Sequence, residues 1–157
     1  MSLLEIFQWC EHSAIGETIR NSIWLFPTIE ALHLVGLGLT AGAVLIVDLR
    51  LLGWGLRDHP VSQVAKDAEP WLRGSIVLMF VSGIPLFLSE STKCYYSLAF
   101  WIKMASLFLA ILFTFTWQRR VVMADTLTPT PRGKLAAVVS LLLWAEVGWG
   151  GRWIGFS

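Results

Sequence analysis

Four stretches of this sequence, 24–47, 71–89, 97–117 and 135–154, are apolar over lengths that match the thickness of a lipid bilayer; about 17 to 25 such residues suffice for a helix to cross. A crossing segment has to satisfy its own backbone N–H and C=O groups, which makes each stretch a helix. Little chain is left over. With 55% hydrophobic residues and 9 tryptophans in 157 residues, the apolar surface exceeds what a water-soluble domain of this size can hide. The expectation is an all-α, four-transmembrane-helix bundle forming a single integral membrane domain.

Ahead of the first span, Leu3, Leu4, Ile6, Phe7 and Trp9, then Ile15, Ile19 and Ile23, recur at helical spacing. Segment 1–22 therefore reads as a short interfacial amphipathic helix, or two, lying on the bilayer surface; a plain extension of the first span is the alternative. Its acids, Glu5, Glu11 and Glu17, and the lack of a basic leader set it apart from a secretory signal, so it is expected to be retained. Arg50, Arg57, Lys66 and Arg73 lie in or beside the first connection and Arg119, Arg120, Arg132 and Lys134 crowd the third, whereas the second offers chiefly Lys93. The positive-inside rule then predicts a multi-pass protein of the bacterial inner (cell) membrane with both termini on the periplasmic side. A formal net charge of +1 gives no reason to expect a nucleic-acid partner. The first connection is expected to hold a separate short helix at 61–68 started by Pro60, and Pro85 to kink the second span. Gly38 and Gly42 form a small-xxx-small pair suited to close helix contact or to a flat ligand.

The stretch "PTIEALHLVG" places Glu30 and His33 inside the first span. An ionisable group at membrane depth costs about 2.5 to 3.5 kcal/mol on insertion scales, so its presence asks for a reason. At 1.5 Å of rise per residue His33 lies roughly 14 Å below the outer boundary, with Lys103 about 9 Å and Glu146 about 10 Å deep and Arg152 near the rim. These placements predict a polar layer in the outer half, two acids against two bases. Either the charges simply lock the helices together, or they serve a site. In the second case His33, among glycines and aromatic rings, is a candidate metal ligand, the axial ligand of haem b; Lys103 and Arg152 pair with propionates, or Lys103 acts as the second ligand, and Glu30 or Glu146, the candidate catalytic groups, moves protons. No second intramembrane histidine and no CxxCH stretch is present, which argues against bis-histidine ligation within one chain and against covalent attachment. His59 falls in a turn and reads as solvated. Cys10 and Cys94 fall on the same side, where a disulfide, a metal site with His12, or two unpaired buried thiols are the alternatives, the last being favoured.

The pattern "SIWLFPTIEALHLVGLGLTAGAVLIVDLRLLG", with "FWIKM" opening the third span and "GRWIGF" closing the fourth, resembles an uncharacterised family of small bacterial four-helix membrane proteins over nearly the whole chain. A more distant similarity, carried by His33, Gly42, Arg50, Trp101 and Lys103, is to HemJ-type protoporphyrinogen oxidase and to CopD-like membrane domains, and implies a b-type haem. Glu30 before the histidine departs from that pattern, and porphyrinogen oxidation is not carried over. The functional expectation is a haem b-binding redox or electron-transfer protein, a membrane oxidoreductase working with a redox partner or quinone. A cofactor-free proton-coupled carrier and a structural or accessory subunit are the alternatives. The tryptophans serve a homo-oligomer contact as readily as interfacial anchoring.

Overall fold

A computed structural model describes residues 2–124 and 127–154, and the regular structure among them is entirely helical. Two short helices, α1 (Leu3–Glu11) and α2 (Ala14–Asn21), precede α3 (Leu25–Leu52) and α4 (Val61–Ser89). A short α5 (Ser91–Tyr96) leads to a third rod made of α6 (Leu98–Phe113), a π turn (Thr114–Gln118) and α7 (Arg119–Met123), and α8 (Pro131–Ile154) ends the chain. Four of these rods, Leu25–Leu52, Val61–Ser89, Leu98–Met123 and Pro131–Trp153, are long and apolar enough to cross a membrane, and the protein is multi-pass. With four crossings the N- and C-terminal segments share one end of the bundle, here the termini end; the basic connections form the other.

The rods outrun the apolar windows at the basic end. The first continues to Leu52, which draws Arg50 into a helix, and ends at Gly53 in the left-handed region with φ of 81°. The ring of Pro129 would stand 2.5 Å from a Cβ at that position, so glycine is required there twice over. The separate helix expected at 61–68 is instead the first part of α4, which stays helical through Pro70 and Pro85. Pro70 and Lys66 are both exposed, so the carbonyl left without a donor four residues earlier faces outward.

Around the bundle the order is α4, α3, α8, α6; α3 packs on α4 and α8, α6 packs on α8, and α4 reaches the third rod through α7. Ala43, Val44, Leu72, Ala110, Trp144 and Val147 form the central core, and Leu51, Val61, Val122 and Ala137 a second cluster towards the basic end. Fully buried Ala110, Ala136 and Ala137 bring backbones close together, as van der Waals packing in lipid favours. Gly38 and Gly42 do not play that part, since a Cβ on either would meet open space; Gly36, against Met79, does. Leu34, Val77, Phe108 and Leu142 are exposed, an apolar exterior suited to acyl chains.

The N-terminal segment is two helices that close the termini end. A capping box between Ser2 and Glu5 starts α1. Phe7 is buried among the rings of Phe87, Tyr95, Phe100 and Trp101, with centroids at 5.3, 5.3, 6.5 and 6.0 Å. The Ser91 hydroxyl donates to the Phe7 carbonyl at 2.7 Å. Glu11 accepts from the Thr92 N–H at 2.8 Å and from Arg20 at 2.9 Å, which fastens α1 to α5 and to α2.

Candidate functional site

The inward face of α3 repeats at three and four residues: His33, Gly36, Thr40, Ala43, Val44, Asp48 and Leu51. His33 meets α4 at Ser82 and Gly83. Its Nδ1 lies 2.9 Å from the Ser82 Oγ, while that hydroxyl donates to the Leu78 carbonyl at 2.7 Å. A serine has a single hydroxyl proton. With that proton committed to Leu78, Oγ is an acceptor for a ring N–H at Nδ1, the neutral tautomer in which Nε2 carries the lone pair; the ring also stands in hydrogen-bonding reach of the Met79 carbonyl. Gly83 makes room, for a Cβ there would stand 3.2 Å from the imidazole Cε1.

Lys103 stands in the electrostatic neighbourhood of His33, on α6, and lies against two glycines of α8. A Cβ on Gly150 would stand 3.1 Å from the Lys103 Cβ, and one on Gly151 would stand 3.3 Å from its Nζ. The span-one imidazole and the span-three amine are thus within electrostatic reach of one another, both partly buried. About two turns further along α3, the Thr40 hydroxyl lies 2.9 Å from both the Gly36 carbonyl and the Ser75 Oγ, extending a polar seam along the α3–α4 contact.

The other three residues expected in this layer are exposed. Glu30 is exposed because Ile29 and His33 set the inward face of α3, and the next position along turns away by about 100°. Glu146 is exposed for the same reason, beside Trp144 and Val147, which are buried. Arg152 is exposed in the last turn of α8. Of the expected layer, His33 and Lys103 are the partly buried members, while Glu30, Glu146 and Arg152 are exposed.

A second polar group lies nearer the basic end, where sequence reasoning placed none. Asp48 and Ser140 have no exposed surface and Gln118 only 4%. The Gln118 Nε2 donates to the Asp48 Oδ1 at 2.7 Å, and the Ser140 hydroxyl of α8 lies beside the same carboxyl without closing a hydrogen bond. Gln118 is the last residue of the π turn, whose extra residue per turn resets the helix phase at this point. A pocket of ≈ 70 Å³ adjoins it, walled by Val44, Val47, Ala68, Leu72 and Phe115, with Glu69 and Arg119 ion-paired at 3.3 Å among its lining. The signal was present: Asp48 continues the stripe of His33 and Thr40, but the apolar window stops one residue before it.

Arg50, two residues on, is also buried, and spans the basic end by donating to the His59 carbonyl at 2.7 Å and to the Leu127 carbonyl at 3.0 Å. Cys10 and Cys94 are free thiols. Burial first, and then the Glu90 carboxylate, push Cys94 up to about 11, so it stays protonated and inert. The His12 Nδ1 lies 2.8 Å from the Gln8 carbonyl, and His59 is exposed. Among the described residues no group of three or more histidine, cysteine or acidic side chains is arranged to hold a metal ion.

A family model described as Family of unknown function (DUF6644) matches residues 6–157. No curated protein and no solved structure matches the chain.

Proposed function

The chain belongs to the family of unknown function DUF6644, so its activity has to be read from its own interior, and we propose that it is a membrane redox protein that binds haem b through His33. The observation that carries this reading is the orientation of the imidazole. Ser82 accepts from Nδ1, as the outer partner of a metal-ligating histidine does, and leaves the Nε2 lone pair for a ligand bond.

His33 is the residue that would hold the group. Gly83, Gly150 and Gly151 keep side chains back where a Cβ would press on His33 or Lys103. Lys103, and Arg152 nearer the rim, supply cations for propionates, and the rings of Phe7, Phe87, Phe100 and Trp101 keep water from the termini end. When bound, the haem supplies one-electron chemistry. What the chain does is hold one nitrogen donor in a fixed tautomer, neutralise carboxylates at its own depth and exclude water. In this reading the protein sits in a bacterial inner membrane with both termini in the periplasm, supported by Arg57, Lys66, Arg119, Arg120, Arg132 and Lys134 at the opposite end. A redox partner or quinone then exchanges electrons on the periplasmic half. The distant likeness to HemJ-type and CopD-like proteins supports the same assignment, though Glu30 and Glu146, both on outer faces, take no part in it.

Protein purified from its native membrane, or from haem-supplied cells, is expected to show a Soret band that His33→Ala abolishes. Ser82→Ala should weaken haem binding by about 10- to 100-fold, the usual effect of losing such a partner. Colourless wild-type protein, or a band indifferent to His33→Ala, would falsify the reading.

A further inference from the structure

Three buried side-chain atoms among the described residues have no hydrogen-bond partner: the Asp48 Oδ2, the Gln118 Oε1 and the Ser140 Oγ. All three belong to the one cluster near the basic end, and the shortfall has a definite chemical form. The Asp48 Oδ1 already accepts from the Gln118 amide N–H at 2.7 Å. The remaining oxygen of each of the two side chains is an acceptor without a donor, and a single proton on Oδ2 can serve both. The result is a two-point acid–amide pair, N–H to Oδ1 and O–H to Oε1. Left ionised, the carboxylate would be a buried charge with an amide and a hydroxyl as its facing groups, Gln118 from the third rod and Ser140 from α8. Arg50, the nearest cation along α3, is turned to the carbonyls of His59 and Leu127. Glu69, in the lining of the adjoining pocket, is shared between two arginines, Arg73 of its own helix and Arg119 at 3.3 Å.

We propose that Asp48, Gln118 and Ser140 form a proton-binding site within the membrane, in which the proton resides on the Asp48 Oδ2 and exchanges through Gln118 with the pocket between α3, α4 and the π turn. The third unpartnered atom explains how the site tolerates losing its proton. On release, the O–H bond of Oδ2 breaks and the proton leaves by way of the Gln118 Oε1 to a water admitted to the pocket that Gln118 lines, giving hydronium; the Ser140 hydroxyl then turns to donate to Oδ2 while Gln118 keeps donating to Oδ1. Both states thus draw their donors from the same three side chains, with the Ser140 hydroxyl closing its contact only in the ionised one. The π turn has a reason on this account: its register carries the Gln118 side chain to the carboxyl while Thr114 and Phe115 still line the pocket. The site is independent of His33 and does not rest on haem binding.

Infrared difference spectroscopy on the full chain in lipid nanodiscs tests it across about pH 4 to 9, the range in which ordinary carboxyls are already ionised or become so. The wild type labelled with carboxyl-¹³C aspartate should retain a protonated-carboxyl stretch at neutral pH that shifts with the label and in D₂O. Asp48→Asn should remove that band. Gln118→Leu should raise its frequency, by removing the amide partner, and move its titration midpoint by about one pH unit or more. If Asp48→Asn does not fold, the labelled wild type and Ser140→Ala decide. Loss of the hydroxyl should disfavour the ionised form and move the midpoint up. Absence of a label-sensitive protonated band in the wild type at neutral pH, or a midpoint indifferent to both Gln118→Leu and Ser140→Ala, would overturn the proposal. An ionised Asp48 beside a trapped water or cation would give the first of those results.

Discussion

Ser82 decides what His33 can do, because a hydroxyl that has given its proton to a carbonyl can only accept from the ring. This relation was out of reach of the sequence. An imidazole in an apolar run stands out, whereas a serine in a membrane helix is common and its partner 49 residues away is set only by packing. The same limit explains the two acids. Depth along a helix follows from counting residues, but facing follows from phase, and Glu30 and Glu146 miss the inward side by a single position. Cys94 offers a test at this scale. Its thiol, raised to about 11 chiefly by burial, contributes stability that is whole below the ordinary thiol range and fades as pH rises towards that value. Alkylation near about pH 8 should therefore modify Cys10 and spare Cys94 until the protein is unfolded, as read by peptide mass spectrometry. Equal labelling rates would contradict the burial.

Among the elements, the four rods were legible because hydropathy and length alone define a crossing helix; their ends were not. Arg50 and Lys66 look like loop residues by charge, yet both lie in helices, since a long side chain tolerates a rod that projects past the apolar zone or can fold back on carbonyls. The π turn leaves no compositional mark at all. The N-terminal pair was visible as amphipathic periodicity, but its fastening depends on Glu11. Burial alone would raise the Glu11 carboxyl; the Thr92 hydrogen bonds, with Arg20 and His12, outweigh it and hold it below the usual carboxylate range. The stability this lends is present above that range and is lost as pH falls through the lowered value. Acidification, or Glu11→Gln at neutral pH, should speed backbone amide exchange across α1 and α2 while α3, α4 and α8 stay protected. The hydrogen bonds of a charged acceptor set the scale, about 1.5 to 3 kcal/mol. Unchanged protection of α1 on acidification would show that Phe7 alone holds it.

At the scale of the molecule, the fold class followed from composition, while the order α4, α3, α8, α6 did not, because lipid-facing and core-facing side chains in such a bundle have much the same polarity. Arg50 ties the two basic connections together from inside. Arg50→Met should keep the apolar stem, lose both carbonyl contacts and lower resistance to denaturant by roughly 2 to 3 kcal/mol, with faster exchange at the Gly53–His59 and Leu127–Thr130 amides. Equal stability of the variant would place the tie elsewhere. The contact between Ser91 and the Phe7 carbonyl bridges 84 residues, and this separation governs how the protein is made. At about 5 to 20 residues per second, Phe7 emerges roughly 4 to 17 s before the ribosome supplies its partner. During that interval α3 and α4 are synthesised before the socket for Phe7 exists. The greasy face of α1 therefore has to wait uncovered until α5 and α6 follow.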